Sequence, residues 1–190
     1  SNYPFGISSV FIIDPMYSLP LLFAFVVLCF ARTKPYASKI NTTALVLSSL
    51  YLTWSLSAKW FIDSKILEAL DKQAITYKQV ESTPSPFNTL LWRAVATTEQ
   101  GHYEIYASVF DSVDEVDIRF YKTENHILTG LVDQRIALLQ NFTKGLYGVY
   151  QQDQTYVFSD LRMGLEGFYV FSFEIAKQSE SSIQPSDFKQ

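Results

Sequence analysis

Residues 88–110, NTLLWRAVATTEQGHYEIYASVF, decide the fold of this 190-residue chain. Two runs rich in β-branched and aromatic residues, 88–98 and 102–110, flank the segment Glu99-Gln100-Gly101. A short Gly-containing segment between two such runs is typical of an antiparallel β-hairpin. The stretch therefore predicts two paired strands and places a β-sheet in the C-terminal part of the chain.

The residues after this hairpin predict further strands and one helix. Val116–Tyr121 alternates apolar and polar residues, which is typical of a half-buried strand, whereas 127–140 carries apolar residues at helical spacing. Three more segments are rich in aromatic and β-branched residues and are separated by turn residues. These additional predicted strands are 145–150, 155–161 and 167–175.

The segment before the hairpin predicts the other helix of the domain. Residues 59–73 place apolar side chains on one face and charged side chains elsewhere, as in an amphipathic helix. About six strands and two helices over residues 59–176 predict an α+β domain with a mostly antiparallel sheet. Residues 177–190 are expected to form a polar tail.

Two apolar runs precede this domain. Pro15–Ala31 contains 17 residues and Ile40–Ala58 contains 19, all of them uncharged. Each run approaches the roughly 20 residues that a transmembrane helix needs. The connecting segment 32–39 has three cations and no acid, a composition typical of cytoplasmic loops. The sequence predicts a membrane hairpin within residues 1–58, with spans at about 15–31 and 40–58 and the later domain outside the cytoplasm. A pair of core helices in a soluble protein is the alternative.

Composition and sequence motifs exclude several function classes. The chain has 15 basic and 19 acidic residues and a pI near 5.1, which argues against a nucleic-acid partner. The single cysteine, Cys29, cannot form an internal disulfide. No phosphate-binding loop, nucleotide fingerprint, nucleophile elbow or HExxH pair is present.

The second apolar run also indicates further helices. It carries hydroxyl residues near one helical face, and stripes of this kind commonly pack against other transmembrane helices. Because the chain begins at Ser1 without an initiator Met, we expect it to be a piece of a longer protein with additional transmembrane helices. The bilayer and these helices are the predicted partners.

Three strings together resemble one protein family. They are FIIDPMYSLP at 11–20, TPSPFNTLLWR at 83–93 and FSDLRMG at 158–164. The chain is similar to the C-terminal two thirds of the bacterial membrane-bound metal-dependent hydrolases, also described as LexA-binding inner-membrane-associated hydrolases, in their longer form with an extra soluble domain. The resemblance covers nearly the whole chain. It implies a location in the bacterial inner membrane with the soluble domain on the extracytoplasmic side.

The resemblance also implies a divalent metal, with zinc as one candidate, in the intact protein. Family members carry the presumed ligands in a His-Arg-Gly-x-[Ser/Thr]-His-Ser motif upstream of the IIDP string, and no residue here matches it. We therefore expect a metal-dependent hydrolase of unknown substrate whose metal site lies mostly outside this chain, so that the chain alone is inactive and metal-free. The alternative function is a non-catalytic, membrane-anchored binding or assembly module outside the cytoplasm.

Asp14 is the one candidate catalytic residue. It belongs to the IIDP string and lies at the predicted membrane boundary, where its carboxylate could serve a metal or a proton transfer. An Asp followed by Pro15 at the start of a helical run is also a good N-cap with proline at the first helical position. Both interpretations remain open at this stage.

Four polar residues of the other two strings are candidate ligand-binding residues. They are Asn88, Arg93, Asp160 and Arg162. Two arginines with an amide and a carboxylate in a Tyr-rich sheet could bind an anionic or sugar-like ligand. Because an Arg on an apolar strand face needs a carboxylate partner, a structural ion pair between Arg93 and Asp160 is the alternative.

The two histidines do not predict a metal site. His102 shares a strand face with Glu104 and Tyr106, but its place beside the hairpin turn indicates a solvated surface residue. His126 is expected near the start of a helix. A zinc site needs about three converging ligands, and the sequence does not place any such set together, so no metal ligand is assigned.

Overall fold

The computed structural model describes residues 8–10, 14–31, 33–131, 133–179 and 182–185. The helices are α1 (Pro15–Ala31), α2 (Pro35–Lys72) and α3 (Gln134–Phe142), with short 3₁₀ helices at Val113–Glu115 and Asn125–Gly130. The strands are β1 (Gln79–Pro84), β2 (Leu91–Thr97), β3 (Gly101–Ser108), β4 (Asp117–Lys122), β5 (Tyr147–Gln152), β6 (Thr155–Asp160), β7 (Gly164–Leu165), β8 (Phe168–Tyr169), β9 (Ser172–Ser179) and β10 (Ser182–Pro185).

The N-terminal helices correct the prediction of two membrane spans. Among the described helices, none combines the length with the apolarity that crossing a bilayer requires. Helix α1 has 17 residues and is about 25 Å long, so it is shorter than the roughly 20 residues of a usual transmembrane helix. Helix α2 is long enough, but its 38 residues include many hydroxyl side chains and a charged C-terminal half. It is also one continuous helix, which agrees with the prediction that the amphipathic helix at 59–73 continues from the second apolar run.

The helices α1 and α2 pack mainly against each other. Small side chains line their contact, with Ala24, Ala37, Ala44 and Ser48 buried. The Ser48 hydroxyl donates to the Tyr17 carbonyl over 3.1 Å. The outward faces expose large apolar side chains, which include Leu19, Leu22, Phe23, Phe25, Phe30, Leu45, Leu50 and Trp54.

The α+β content with antiparallel pairing is confirmed, but the strands form several sheets. Strands β1–β4 make one four-stranded sheet, in the order β1-β2-β3-β4. Strands β5, β6, β9 and β10 make a second, in the order β10-β9-β6-β5, and β7 pairs with β8 in a small hairpin. Every pair is antiparallel. The predicted hairpin at 88–110 is confirmed as β2 and β3.

Other boundaries differ from the sequence prediction. The predicted helix at 127–140 is a 3₁₀ helix followed by α3, and the predicted strand at 167–175 is divided between β8 and β9. Strands β1, β7 and β10 were not predicted: β7 begins in the predicted turn at Met163-Gly164, and β10 pairs with β9 inside the predicted polar tail. Residues 1–7, 11–13, 32, 132, 180–181 and 186–190 lie outside the described residues, so the start of the IIDP string and the loop residue Arg32 are not described.

The first sheet is covered on both faces. Alternate residues of β2 and β3 pack against the C-terminal half of α2, in a core that contains Ile62, Ile66, Leu70, Trp92 and Ile105. The opposite face includes Val95, which packs with Leu146 and Leu161 near the second sheet. Because strand side chains alternate, Arg93, His102 and Glu104 also lie on this second face. The β2 strand is therefore buried along nearly its whole length.

Candidate metal centre

Strands β2 and β3 place three polar side chains, those of Arg93, His102 and Glu104, on the buried face of the first sheet that lies opposite α2. In their antiparallel register, Arg93 pairs with Tyr106, Val95 with Glu104, and Thr97 with His102. His102 is fully buried, and Glu104 is 2% exposed. The sequence prediction of a solvated His102 is therefore wrong, because the second sheet and the β7–β8 hairpin cover the strand face that the turn alone would leave open.

Arg93 and Glu104 form a buried ion pair across β2 and β3. The Arg93 Nη2 group donates to Glu104 Oε1, and Nη1 donates to the Leu161 carbonyl over 2.8 Å. Burial by itself would raise the pKa of Glu104, but the hydrogen bond and charge of Arg93 lower it overall. Glu104 is therefore an ionised carboxylate at neutral pH.

The β7–β8 hairpin brings a second carboxylate to this ion pair. Glu166 lies in the turn of the hairpin, and its side chain is 25% exposed. Its Oε2 atom is 3.5 Å from His102 Nε2 and accepts a hydrogen bond from the Tyr150 hydroxyl over 3.1 Å. Gly164 permits the hairpin to close, since it has φ +118° and a Cβ there would lie 2.4 Å from the Phe168 carbonyl oxygen.

The Tyr169 hydroxyl lies between Glu166, Glu104 and His102. It donates to Glu166 Oε2 over 2.8 Å, and it is 3.2 Å from Glu104 Oε1 and 3.2 Å from His102 Nε2. Burial is the main cause that raises the pKa of the Tyr169 hydroxyl, as it does for Tyr150. Both phenols are therefore neutral at pH 7 and can act as hydrogen-bond donors.

His102 is neutral in this setting. Burial lowers its pKa to about 4, against a smaller opposing effect of Glu104. The ring stacks on Tyr121, with 5.6 Å between the ring centroids. Its Nδ1 atom is buried and has no hydrogen-bond partner among the described residues. A neutral imidazole is the form of histidine that binds metal ions.

His102, Glu104 and Glu166 form a cluster that could hold a metal. Their ligand atoms all lie within 4.8 Å of one another. One imidazole with two carboxylates suits Zn²⁺, Mn²⁺ or Fe²⁺ by ligand type. The spacing of two residues along a strand predicts that His102 and Glu104 share a face. Glu166 is not predictable in this way, because it is 62 residues further along the chain than Glu104 and has no motif around it.

The predicted ligand-binding residues do not all meet. Arg93 belongs to the cluster, whereas Asn88 caps a turn by accepting hydrogen bonds from the backbone amides of Leu90 and Leu91. Asp160 pairs with Arg162, with 2.6 Å between Oδ2 and Nη2. The alternative ion pair between Arg93 and Asp160 is therefore wrong, because Glu104 is the nearer carboxylate.

Asp14 lies at the start of α1, far along the chain from the cluster residues. Its Oδ1 accepts from the Met16 amide over 2.9 Å, as an N-cap does. Its Oδ2 accepts from the Tyr51 hydroxyl over 2.6 Å. His126 lies in the 3₁₀ helix Asn125–Gly130, with its Nδ1 atom 3.4 Å from Glu124 and its side chain 75% exposed.

A separate polar contact joins α2 to the edge strand β1. The Ser82 hydroxyl accepts from Lys59 Nζ over 2.9 Å and donates to Asp63 Oδ1. These residues border a cleft of about 260 Å³ between α2 and β1. The donors and acceptors satisfy one another, which is typical of a contact that attaches a helix to a sheet.

Comparison with known proteins does not assign a family. No protein-family description, no curated protein and no solved structure matches this chain.

Proposed function

We propose that this chain is part of a metal-dependent hydrolase and that His102, Glu104 and Glu166 hold its divalent cation. The observation that supports the proposal is the convergence of these three side chains in a buried cluster. The strings at 11–20, 83–93 and 158–164 resemble a family of metal-dependent hydrolases. The proposal differs from the sequence prediction in placing metal ligands within this chain.

The surrounding residues suit the cluster for a cation. Two carboxyl groups, those of Glu104 and Glu166, and one cation, Arg93, surround a neutral His102. The Tyr106 hydroxyl donates to Glu104 Oε2 over 2.8 Å, and the Arg93 guanidinium donates to Glu104 Oε1. These outer contacts fix the orientation of the carboxylate, as groups around metal ligands commonly do.

A bound divalent cation supplies Lewis-acid chemistry and makes water a better nucleophile toward an ester or phosphoester. The residues of this chain would position it and limit solvent access. His102 and Glu104 are fixed by the sheet, while Glu166 belongs to the hairpin and is the ligand nearest to solvent. Substrate would therefore approach from the side of the hairpin.

The test measures metal binding and turnover with the purified full chain. After treatment with a chelator, the chain is titrated with Zn²⁺ and Mn²⁺ by calorimetry, and bound metal is counted by mass spectrometry. Hydrolysis of p-nitrophenyl acetate, p-nitrophenyl phosphate and bis-p-nitrophenyl phosphate is then measured with and without metal. We expect one cation per chain and metal-dependent turnover of at least one of these substrates.

Variants connect the result to the cluster. H102A and E166Q should bind the cation at least about 100-fold more weakly, because each removes a ligand. H126A is the matched control, since His126 is exposed and lies outside the cluster. Absence of bound metal in the wild-type chain, or equal loss in H126A, would contradict the proposal and favour a purely structural ion-pair network.

A further inference from the structure

The Tyr169 hydroxyl contacts all three candidate metal ligands, although the three-residue site gives it no role. Its oxygen is 2.8 Å from Glu166 Oε2, 3.2 Å from Glu104 Oε1 and 3.2 Å from His102 Nε2. The fourth contact, with the Tyr150 hydroxyl, is longer at 3.5 Å. A single side chain therefore contacts every member of the candidate ligand set, although it has only one hydrogen to donate.

We propose that Tyr169 is the fourth ligand of this site, an inference that rests on the proposed metal binding. Four ligands in tetrahedral order about one ion, each about 2.0–2.3 Å from it, lie roughly 3.3–3.8 Å from one another. The 3.5 Å separation of His102 Nε2 from Glu166 Oε2 lies within this range. The Tyr169 oxygen is 3.2 Å from His102 Nε2 and from Glu104 Oε1, and 2.8 Å from Glu166 Oε2, which is a hydrogen-bond distance. The phenolic oxygen is therefore near enough to all three ligand atoms to share one ion with them.

The hydrogen bonds that Glu104 and Glu166 already make are compatible with Tyr169 as a ligand. Glu104 Oε1 already accepts from Arg93, but a carboxylate oxygen has two lone-pair sites and can also face a cation. Tyr169 would bind as the phenolate, with its proton released to solvent as the metal binds, and Glu166 Oε2 would keep the hydrogen bond from Tyr150. No new side chain has to enter the site, and the Tyr169 oxygen would have to move away from Glu166 Oε2 by only about 0.5–1 Å to reach the separation of two ligands on one ion.

The four proposed ligands come from two parts of the fold. His102 and Glu104 come from β3, whereas Glu166 and Tyr169 come from the β7–β8 hairpin. Half of the coordination is thus supplied by six residues, 164–169, in which Phe168 of β8 is highly exposed. The cation would fasten this hairpin to the sheet, and release of Tyr169 would open the coordination position that catalytic sites keep free.

The test uses the full chain loaded with Fe³⁺ or Co²⁺ instead of the native metal. A phenolic oxygen bound to Fe³⁺ produces a visible charge-transfer band, and the Co²⁺ spectrum distinguishes tetrahedral from higher coordination. We expect the wild-type chain to show the phenolate band and a tetrahedral Co²⁺ spectrum. We also expect Y169F to lose the band and to bind Zn²⁺ at least about tenfold more weakly, since it loses a ligand.

Y150F is the matched control. The Tyr150 hydroxyl contacts Glu166 and Tyr169 but has no hydrogen bond to His102 or Glu104 among the described residues. It should retain the phenolate band. If Y169F folds poorly, a wild-type spectrum without the band still overturns the proposal, and a band that Y150F retains still excludes Tyr150 as its source.

The outcomes separate the two proposals. If the wild-type chain binds a cation that H102A and E166Q lose, but shows no phenolate band or binds equally well as Y169F, Tyr169 is not a ligand and the three-residue site stands. If the wild-type chain binds no cation at all, both proposals are wrong. Retention of the band in Y169F with loss in Y150F would assign the fourth ligand to Tyr150 instead.

Discussion

Arg93 and Glu104 are buried charges that satisfy each other across neighbouring strands. Their side chains are 8% and 2% exposed. The Nη1 group of Arg93 donates to the Leu161 carbonyl, whereas its buried Nε has no hydrogen-bond partner among the described residues. A charge buried with a partner is tolerated, whereas one left alone is very costly. The pair therefore ties the first sheet to the segment that leads into the β7–β8 hairpin.

Removal of one charge from this pair should be strongly destabilising. We expect E104Q to lower the free energy of unfolding by about 3–5 kcal/mol, because Arg93 then stays buried without a counter-charge. The double variant R93M/E104M should recover most of this loss, which urea unfolding of the single and double variants will measure. D117N is the control, since the Asp117–Arg119 pair is exposed and worth less than about 1 kcal/mol. A double variant as unstable as E104Q would argue against a simple charge explanation.

The burial of His102 predicts a pH dependence of stability in the metal-free chain. Its pKa is lowered from 6.5 to about 4, so the unfolded chain binds a proton between these values and the folded chain does not. The free energy of unfolding should therefore fall as the pH decreases from 6.5 toward 4, by about 3 kcal/mol in total from this group. Urea unfolding in chelator at pH 7.5 and 4.5 will measure it.

H102Q supplies the comparison for this measurement. Glutamine cannot take up a proton in this range, so the difference between the two pH values should be smaller in H102Q by most of that 3 kcal/mol. Glu104, Glu166 and Arg93 face the same group and are present in both chains. Equal pH dependence in the two chains would show that His102 is not held in its neutral form.

Asp14 should act as a helix cap rather than in catalysis. We expect D14A to lower the free energy of unfolding by about 1–2 kcal/mol, because the Met16 amide and the Tyr51 hydroxyl lose their acceptor. Zn²⁺ affinity and turnover should not change. S18A is the control, since the Ser18 hydroxyl donates only to the Asp14 carbonyl at an exposed position. Loss of turnover in a stable D14A chain would restore the catalytic interpretation of the IIDP string.

Gly164 should be essential for the hairpin that carries Glu166 and Tyr169. A Cβ at this position meets the Phe168 carbonyl oxygen at 2.4 Å and the backbone has φ +118°, so G164A must distort the hairpin. We expect G164A to bind Zn²⁺ more weakly by about tenfold or more and to show faster amide exchange over residues 164–169. G130A is the matched control, because a Cβ at Gly130 meets nothing within 4 Å. Wild-type affinity in G164A would mean that the hairpin does not supply ligands.

Local patterns in the sequence predicted much of the secondary structure. The alternation in residues 88–110 and the loop at Gly101 set the β2–β3 hairpin, because strand periodicity and turn chemistry act over a few residues. The start of α1 also followed from Asp14 and Pro15. Helix α1 was predicted with its observed boundaries, although its interpretation as a membrane span was wrong, because run length and lack of charge do not by themselves establish a span.

The candidate site was only partly predictable. The shared strand face of His102 and Glu104 follows from their spacing of two residues, and that part was read correctly. Their burial was not, since it depends on which elements cover the face. Glu166 and Tyr169 lie in a short segment whose composition resembles an ordinary turn, and no local signal relates them to β3.

The sequence by itself determined the bounds of α1, the central hairpin and the strand face that His102 and Glu104 share, because these depend on periodicity and turns within short segments. Only the tertiary structure decided that this face is buried, that Glu104 rather than Asp160 pairs with Arg93, and that Glu166 and Tyr169 complete the cluster. The physical reason is that burial and ionic pairing depend on which distant segments pack together. Such packing is a property of the whole core and has no signature in any one segment.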